Sequence, residues 1–208
     1  MNITVLGAGG QVGRGVVALC LKRGHTVTAL VHSRNPFEGQ AGLTVLTGDI
    51  YNRDDIVHAL AGSEAVISAL GSWHTKRKDV LMSAMELVIP AMKAVGMRRI
   101  ITVTGSGALW SGDHVRLIDR LARLMLLVIA PKILKDGEAH IELLARSGLD
   151  WTSVRSPAMT GSQQAGYALR SRLPIGVTMI PRLAVATAMV DVLETNGFSE
   201  QAPVIYKH

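Results

Sequence analysis

The segment Gly7-Ala8-Gly9-Gly10-Gln11-Val12-Gly13 has residue types and spacing suited to bringing backbone against a phosphate. Gly7 permits a tight turn, Gly10 removes the side chain that would block an approaching anion, and Gly13 allows close helix–strand packing. Twenty residues on, His32-Ser33-Arg34 offers an imidazole, a hydroxyl and a guanidinium, and the first carboxylate in the chain is Glu38. Sites selective for NAD place Asp or Glu there to accept from the ribose 2′-hydroxyl, whereas a guanidinium fork matches a 2′-phosphate. The expected cofactor is NADP(H) in preference to NAD(H), although Arg34 as a solvated loop charge is the plainer alternative.

These residues need a scaffold, and the flanking pattern supplies it. Asn2–Leu6 is a β-branched run that ends in the glycines. Apolar residues then recur at helical spacing to Gly24, and Thr26 to Val31 is a second apolar run, which makes one βαβ unit. Further strands are expected over 43–47, 64–70, 99–104, 150–155 and 203–206, with helices over 54–61, 78–95, 115–134, 138–147 and 182–195 and an irregular stretch over 157–174. Such alternation predicts an α/β fold, a doubly wound and mostly parallel sheet (Rossmann fold), in a single domain over 1–208. Substrate-side elements are expected from about 107–135 and 157–180. Ligands of these sheets bind at the carboxyl ends of the strands. That edge gathers Gly7 to Val12, His32 to Arg34, Asp49 and Ile50, Leu70 to Trp73, Thr104 to Ser106, and Ser156 to Met159.

The helix predicted over 115–134 is apolar nearly all round, with Arg116, Arg120 and Arg123 in one stripe and Pro131 kinking or ending it. A lid, a subunit interface and a core helix all fit that pattern. The 208 residues are 48% hydrophobic and 18% charged, ordinary for a globular protein with a large core. A single cysteine, Cys20, excludes a disulfide framework and fits a reducing, cytoplasmic setting. The chain opens into a core strand, so no leader peptide is expected, and no apolar run is long enough to span a bilayer. Net charge is +6 without aromatic–basic repeats, so neither nucleic acid nor membrane is an expected partner and an anionic small molecule is. No metal site is expected, and the chain is read as a monomer or homodimer.

The glycine-rich turn, together with 27–34, 48–50, 65–71, 92–106 and Ser147-Gly148-Leu149-Asp150-Trp151-Thr152-Ser153-Val154-Arg155-Ser156-Pro157, resembles the atypical short-chain dehydrogenase/reductases. The similarity lies with the NAD(P)H-binding branch of NmrA-like sensors, NADH-flavin reductases and biliverdin reductase B, and it covers nearly the whole chain. It implies that Asp49 meets the adenine amino group beside the backbone of Ile50. Leu70 and Gly71 would lie along the ribose, and Pro157, Ala158 and Met159 would offer backbone to the nicotinamide carboxamide. Gly9, Gln11, Val12 and Thr104, on the same strand-end edge, complete the expected cofactor contacts. Ser106 takes the place of the family's active-site serine, where its hydroxyl would donate to an acceptor atom or simply leave room for the nicotinamide. Trp73 and His74, and Trp110 with its neighbour Leu109, are candidate substrate-pocket residues, though an exposed loop explains His74 equally well.

One departure bears on mechanism. Catalytic members use a Tyr-x-x-x-Lys pair, the tyrosine giving the proton and the lysine lowering its pKa. Counted back from Trp151, those positions hold Ile133 and Gly137; Lys135 and His140 are near but wrongly spaced, and Tyr51, Tyr167 and Tyr206 are elsewhere. The expectation is therefore an NADPH-dependent reductase of flavins, quinones or similar planar acceptors that solvent can protonate, or alternatively a non-catalytic NADP-binding sensor.

Overall fold

The computed structural model describes residues 1–73, 75–171 and 179–207. The strands are β1 (Asn2–Leu6), β2 (Thr26–Val31), β3 (Leu43–Thr47), β4 (Ala65–Ser68), β5 (Arg99–Gly105), β6 (Asp150–Ser156), β7 (Ala158–Thr160), β8 (Tyr167–Arg170), β9 (Met179–Pro181) and β10 (Val204–Lys207). The helices are α1 (Gln11–Lys22), α2 (Arg53–Leu60), α3 (Val80–Ala94), α4 (Leu117–Ile129), α5 (Pro131–Ala145) and α6 (Arg182–Glu194). Eight strands form one sheet in the order β3-β2-β1-β4-β5-β6-β10-β8. Every neighbouring pair is parallel except β10–β8, which is antiparallel.

Both faces of this sheet are covered, which is why its central strands read as continuous apolar runs. Ile3, Val5, Ile67, Ile101 and Val154 point to the layer of α1 and α6, while Leu6, Val66, Ile100 and Trp151 point to the layer of α2, α3 and α5. The chain is a single Rossmann-like domain. No helix among the described residues is long and apolar enough to cross a membrane.

Two departures from the sequence reading fall within 115–134 and 157–174. The helix expected over 115–134 is two helices: α4 stops at Ile129, Ala130 breaks the path, and Pro131 opens α5, which runs to Ala145. Proline suits a first helical position, because its missing N–H has no partner there in any case. The stretch expected to be irregular contains β7 and β8; β8 is held because Tyr167 to Arg170 pair with β10, and β7 because it pairs with β9. The outer face of α4 is exposed, so it is not a core helix.

Candidate cofactor cleft

Leu6 ends β1, and Gly7 turns the chain at φ +69°, a conformation open to glycine at no steric cost. Gly10 N–H donates to the Gly7 carbonyl at 3.0 Å and α1 begins at once. A Cβ on Gly13 would stand 2.2 Å from the Gly7 oxygen, so the close seating of α1 on the turn requires glycine there. The first turn of α1 contains no acidic residue and receives no side-chain cap. Its N–H groups have no carbonyl one turn back, which leaves them to an anion. Gln11 is exposed at this helix start, whereas Val12 packs its side chain into the core.

A cleft of about 560 Å³ opens from the turn across the C-terminal ends of β1 to β4. Its walls include Gly7, Gly9 and Gly10, then His32, Ser33 and Arg34, then Asp49, Ile50, Leu70 and Gly71. The structure thus brings together ten of the residues singled out from sequence. His32, Ser33 and Arg34 are exposed at the rim. Asp49 has a locally fixed backbone: its N–H donates to Asp55 Oδ2 at 2.7 Å, and its own Oδ1 accepts from Tyr51 N–H at 3.0 Å.

Sequence reasoning missed part of the lining, to which Tyr51, Thr75, Lys76 and Arg77 also belong. The Arg77 guanidinium lies 4.1 Å from the centroid of the Tyr51 ring, a cation–π contact joining the loops after β3 and β4. It also grips Asp79 through two bonds of 3.0 and 2.7 Å and pulls that carboxyl down to about 2. Lys78 Nζ donates to the carbonyls of Ser72, Trp73 and Thr75, gathering the loop around one ammonium. The run Lys76-Arg77-Lys78 just past a strand end was the available signal.

The candidates at the ends of β5 and β6 stand outside that cleft's walls. Ser106 is half-buried, and its N–H donates to the Ser156 carbonyl at 2.8 Å. Thr104 is buried, Pro157 leads into β7, Ala158 is exposed, and Met159 packs on the core. Trp73 is 62% exposed, and His74 lies outside the described residues. Trp110 is not brought to the cleft: its indole meets Trp151 edge to face, with centroids 5.3 Å apart. Its loop is tied down by Arg155, which donates to both oxygens of Asp113 at 2.7 and 2.8 Å while both side chains are buried.

Positions 133 and 137, where the sequence reading sought a Tyr–Lys pair, lie on α5. A Cβ on Gly137 would lie 2.6 Å from Thr104 Oγ1 and 3.2 Å from Ala108 Cβ, so α5 approaches β5 too closely for a side chain there. Ile133 is half-buried and Lys135 exposed. Asp136 is buried and accepts from Ser72 Oγ at 2.5 Å and from the N–H groups of Leu81 and Met82 at 3.1 and 2.9 Å. It thereby caps α3 from a different helix, since Asp79 at the N-cap makes no side-chain cap bond. His140 is fully buried, with Nε2 at 2.9 Å from Thr102 Oγ1. Burial depresses its pKa to about 4, outweighing the upward pull of the Leu81 backbone and the Asp136 charge, and leaves the ring neutral at pH 7.

A family model described as NAD(P)H-binding matches residues 7–196. Isoflavone reductase homolog IRL of Zea mays is 35% identical over 95 residues, covering 41% of this chain and 31% of that protein. The chain spans about a third to a half of the length of the curated relatives it matches first. Among solved structures, a wide-type short-chain dehydrogenase/reductase of Veillonella parvula in complex with NADP superposes with TM-score 0.77 at 20% identity, over 99% of this chain and 94% of that one. An anaerobilin reductase of Escherichia coli O157:H7 gives 0.79 at 19%, over 100% and 97%. At these identities the structural likeness is one of fold.

Proposed function

The chain belongs to the NAD(P)H-binding family, and from that premise we propose that it is an NADPH-dependent reductase delivering hydride to a small planar acceptor such as a flavin, quinone or tetrapyrrole. The observation that best supports this reading is the seat of Gly137 on Thr104. The position of a proton-relaying lysine has no room for a side chain, which favours acceptors whose reduced forms take their proton from solvent. The reductase names of the maize and Escherichia coli proteins point the same way.

Bound NADPH supplies the hydride, and the chain supplies position and charge. The start of α1 and the backbone of Gly9 and Gly10 take the diphosphate; His32, Ser33 and Arg34 take the 2′-phosphate. Asp49 accepts from the adenine amino group beside Ile50, and Leu70 and Gly71 lie along the ribose. Thr104 and the backbone of Pro157, Ala158 and Met159 flank the nicotinamide, and the Ser106 hydroxyl donates to the acceptor. Trp73 borders the acceptor space. The packing of Trp110 on Trp151 favours a structural role for that residue. The +6 charge suits an anionic cofactor, and the single buried cysteine suits the cytoplasm.

The exposed apolar face of α4 favours one other reading, a non-catalytic NADP-binding sensor that presents this face to a partner. Steady oxidation of NADPH by FMN or menadione supports the reductase, whereas binding without turnover supports the sensor. In the same assay Arg34→Ala is expected to weaken NADPH at least tenfold while sparing NADH, and equal losses for both would remove the 2′-phosphate assignment. Ser106→Ala is expected to slow single-turnover oxidation about tenfold, as for one neutral hydrogen bond.

A further inference from the structure

We propose that α4 is the centre of a twofold interface in which two copies of this chain pair their α4 helices antiparallel. Leu117, Leu121, Leu124 and Val128 fall at successive spacings of four, three and four, the repeat that keeps a seam facing a partner helix, and all are exposed, by 59 to 80%. Ile118, Met125 and Ile129 form a second exposed row beside the first. Together the two rows present on the order of 800 Å² of apolar side chain, which exceeds the patches of ordinary monomers and equals one partner's share of a standard interface.

The charges select the occupant. A helix that lies on an anionic membrane needs cations bordering its apolar face. Here Arg116 is engaged by Asp119, and Arg123 is gripped by Glu138 of α5 through bonds of 2.5 and 2.8 Å. Both lie behind the apolar rows, and Arg120 stands exposed at one border. A face nearly all apolar and nearly uncharged fits its own copy better than a phospholipid surface, and a closed twofold axis uses one patch twice.

Direction follows from the same residue. Parallel pairing would set Arg120 beside its own copy, whereas antiparallel pairing about position 123 separates the two by about 9 Å along the axis. The inner face of α4 gives the contact a reach into the protein: Leu126 lies over Gly107, where a Cβ would come within 2.2 Å of its Cδ1. Pairing of α4 therefore braces the loop that follows Ser106.

Sedimentation velocity of the full chain from 1 to 100 µM tests the proposal. The expected result is a concentration-dependent dimer that the double substitution Leu121→Glu with Leu124→Glu weakens at least a hundredfold, with unchanged far-ultraviolet circular dichroism. Should that variant fail to fold, oxidative cross-linking through one introduced cysteine at a time decides, the native Cys20 being buried. Leu124→Cys, next to the axis, is expected to join to its copy, while Leu117→Cys, about 18 Å from its copy along the axis, is expected not to. A wild-type monomer at 100 µM, a dimer that survives the double substitution, cross-linking at both positions, or cosedimentation of the monomer with phosphatidylglycerol vesicles would each overturn it.

Discussion

Two helices that meet at Ala130 invert the usual relation between side-chain polarity and burial. Helix α4 is almost entirely apolar on its outer face, yet Leu117, Leu124 and Val128 stand in solvent. Helix α5 carries a carboxylate and an imidazole, Asp136 and His140, and both are buried. What differs is the surface opposite each helix. Across from α5 are the open N-terminus of α3, the Ser72 hydroxyl and Thr102 on the sheet, each able to pair with a polar group. Three hydrogen bonds offset the several kcal/mol that desolvating a carboxylate costs. Among the described residues, nothing lies across from the outer face of α4, and Leu117, Leu121, Leu124 and Val128 stay exposed. Burial is set by what waits on the other side, and polarity alone does not decide it.

The sharpest way to break this comparison is Asp136→Ala. It strands two α3 N–H groups and the Ser72 hydroxyl, and should cost about 4 kcal/mol in urea unfolding. A loss below about 1 kcal/mol would mean that the carboxylate is merely tolerated inside.

A second effect depends on pH. His140 titrates near 6.5 when unfolded and at about 4 in the fold, so between those values the unfolded chain binds a proton that the folded chain refuses. Its contribution is complete above pH 6.5 and is lost as pH falls toward 4, by up to about 3 kcal/mol. Unfolding free energies at pH 7 and 5 for the wild type and His140→Gln check this, and the variant is expected to show the shallower dependence.

The smallest effect belongs to α4. At dilutions where the chain is monomeric, Leu121→Gln should change stability by less than about 0.5 kcal/mol, because its side chain is 59% exposed. A substantial loss in the monomer would show that α4 is held by contacts of this face within its own chain, and the contrast with α5 would fail.

The parallel strands of the main sheet and the glycine-rich turn were legible because their signals are local: β-branched runs bounded by glycine, and Gly13 at the distance where helix meets strand. Part of the cleft lining was legible for the same reason, since strand ends in a parallel sheet converge on one edge. The rest of the lining was not, because Arg77 reaches Tyr51 across 26 positions of sequence through ring and guanidinium geometry that no periodicity encodes. Asp136 escaped notice as a cap because it serves a helix that begins 56 residues earlier. Trp110 was read as pocket-lining from its place after β5, while the buried Arg155–Asp113 pair turns that loop back onto Trp151. The break between α4 and α5 was half legible: Pro131 marks the spot, but whether proline ends one helix or begins the next depends on the turn before it.

The contact between Gly137 and Thr104 limits where this sequence can go by single steps. On the proposed reading, a Tyr–Lys pair would be rebuilt by two substitutions, Ile133→Tyr and Gly137→Lys. Here the second meets an obstacle at its first carbon, which would lie 2.6 Å from Thr104 Oγ1 and 3.2 Å from Ala108 Cβ, and α5 carries the Asp136 and His140 contacts that fix its depth. Admitting lysine would require the Thr104 side chain to turn aside or α5 to lift off the sheet, and lifting would break the α3 cap and the Thr102 bond together. Selection or engineering toward ordinary ketones would have to pass through variants less stable than either end, whereas changes on the open rim around Arg34 and Trp73 carry no such toll. Diversification of this scaffold is therefore expected at the cleft mouth, with the floor beneath Thr104 held constant.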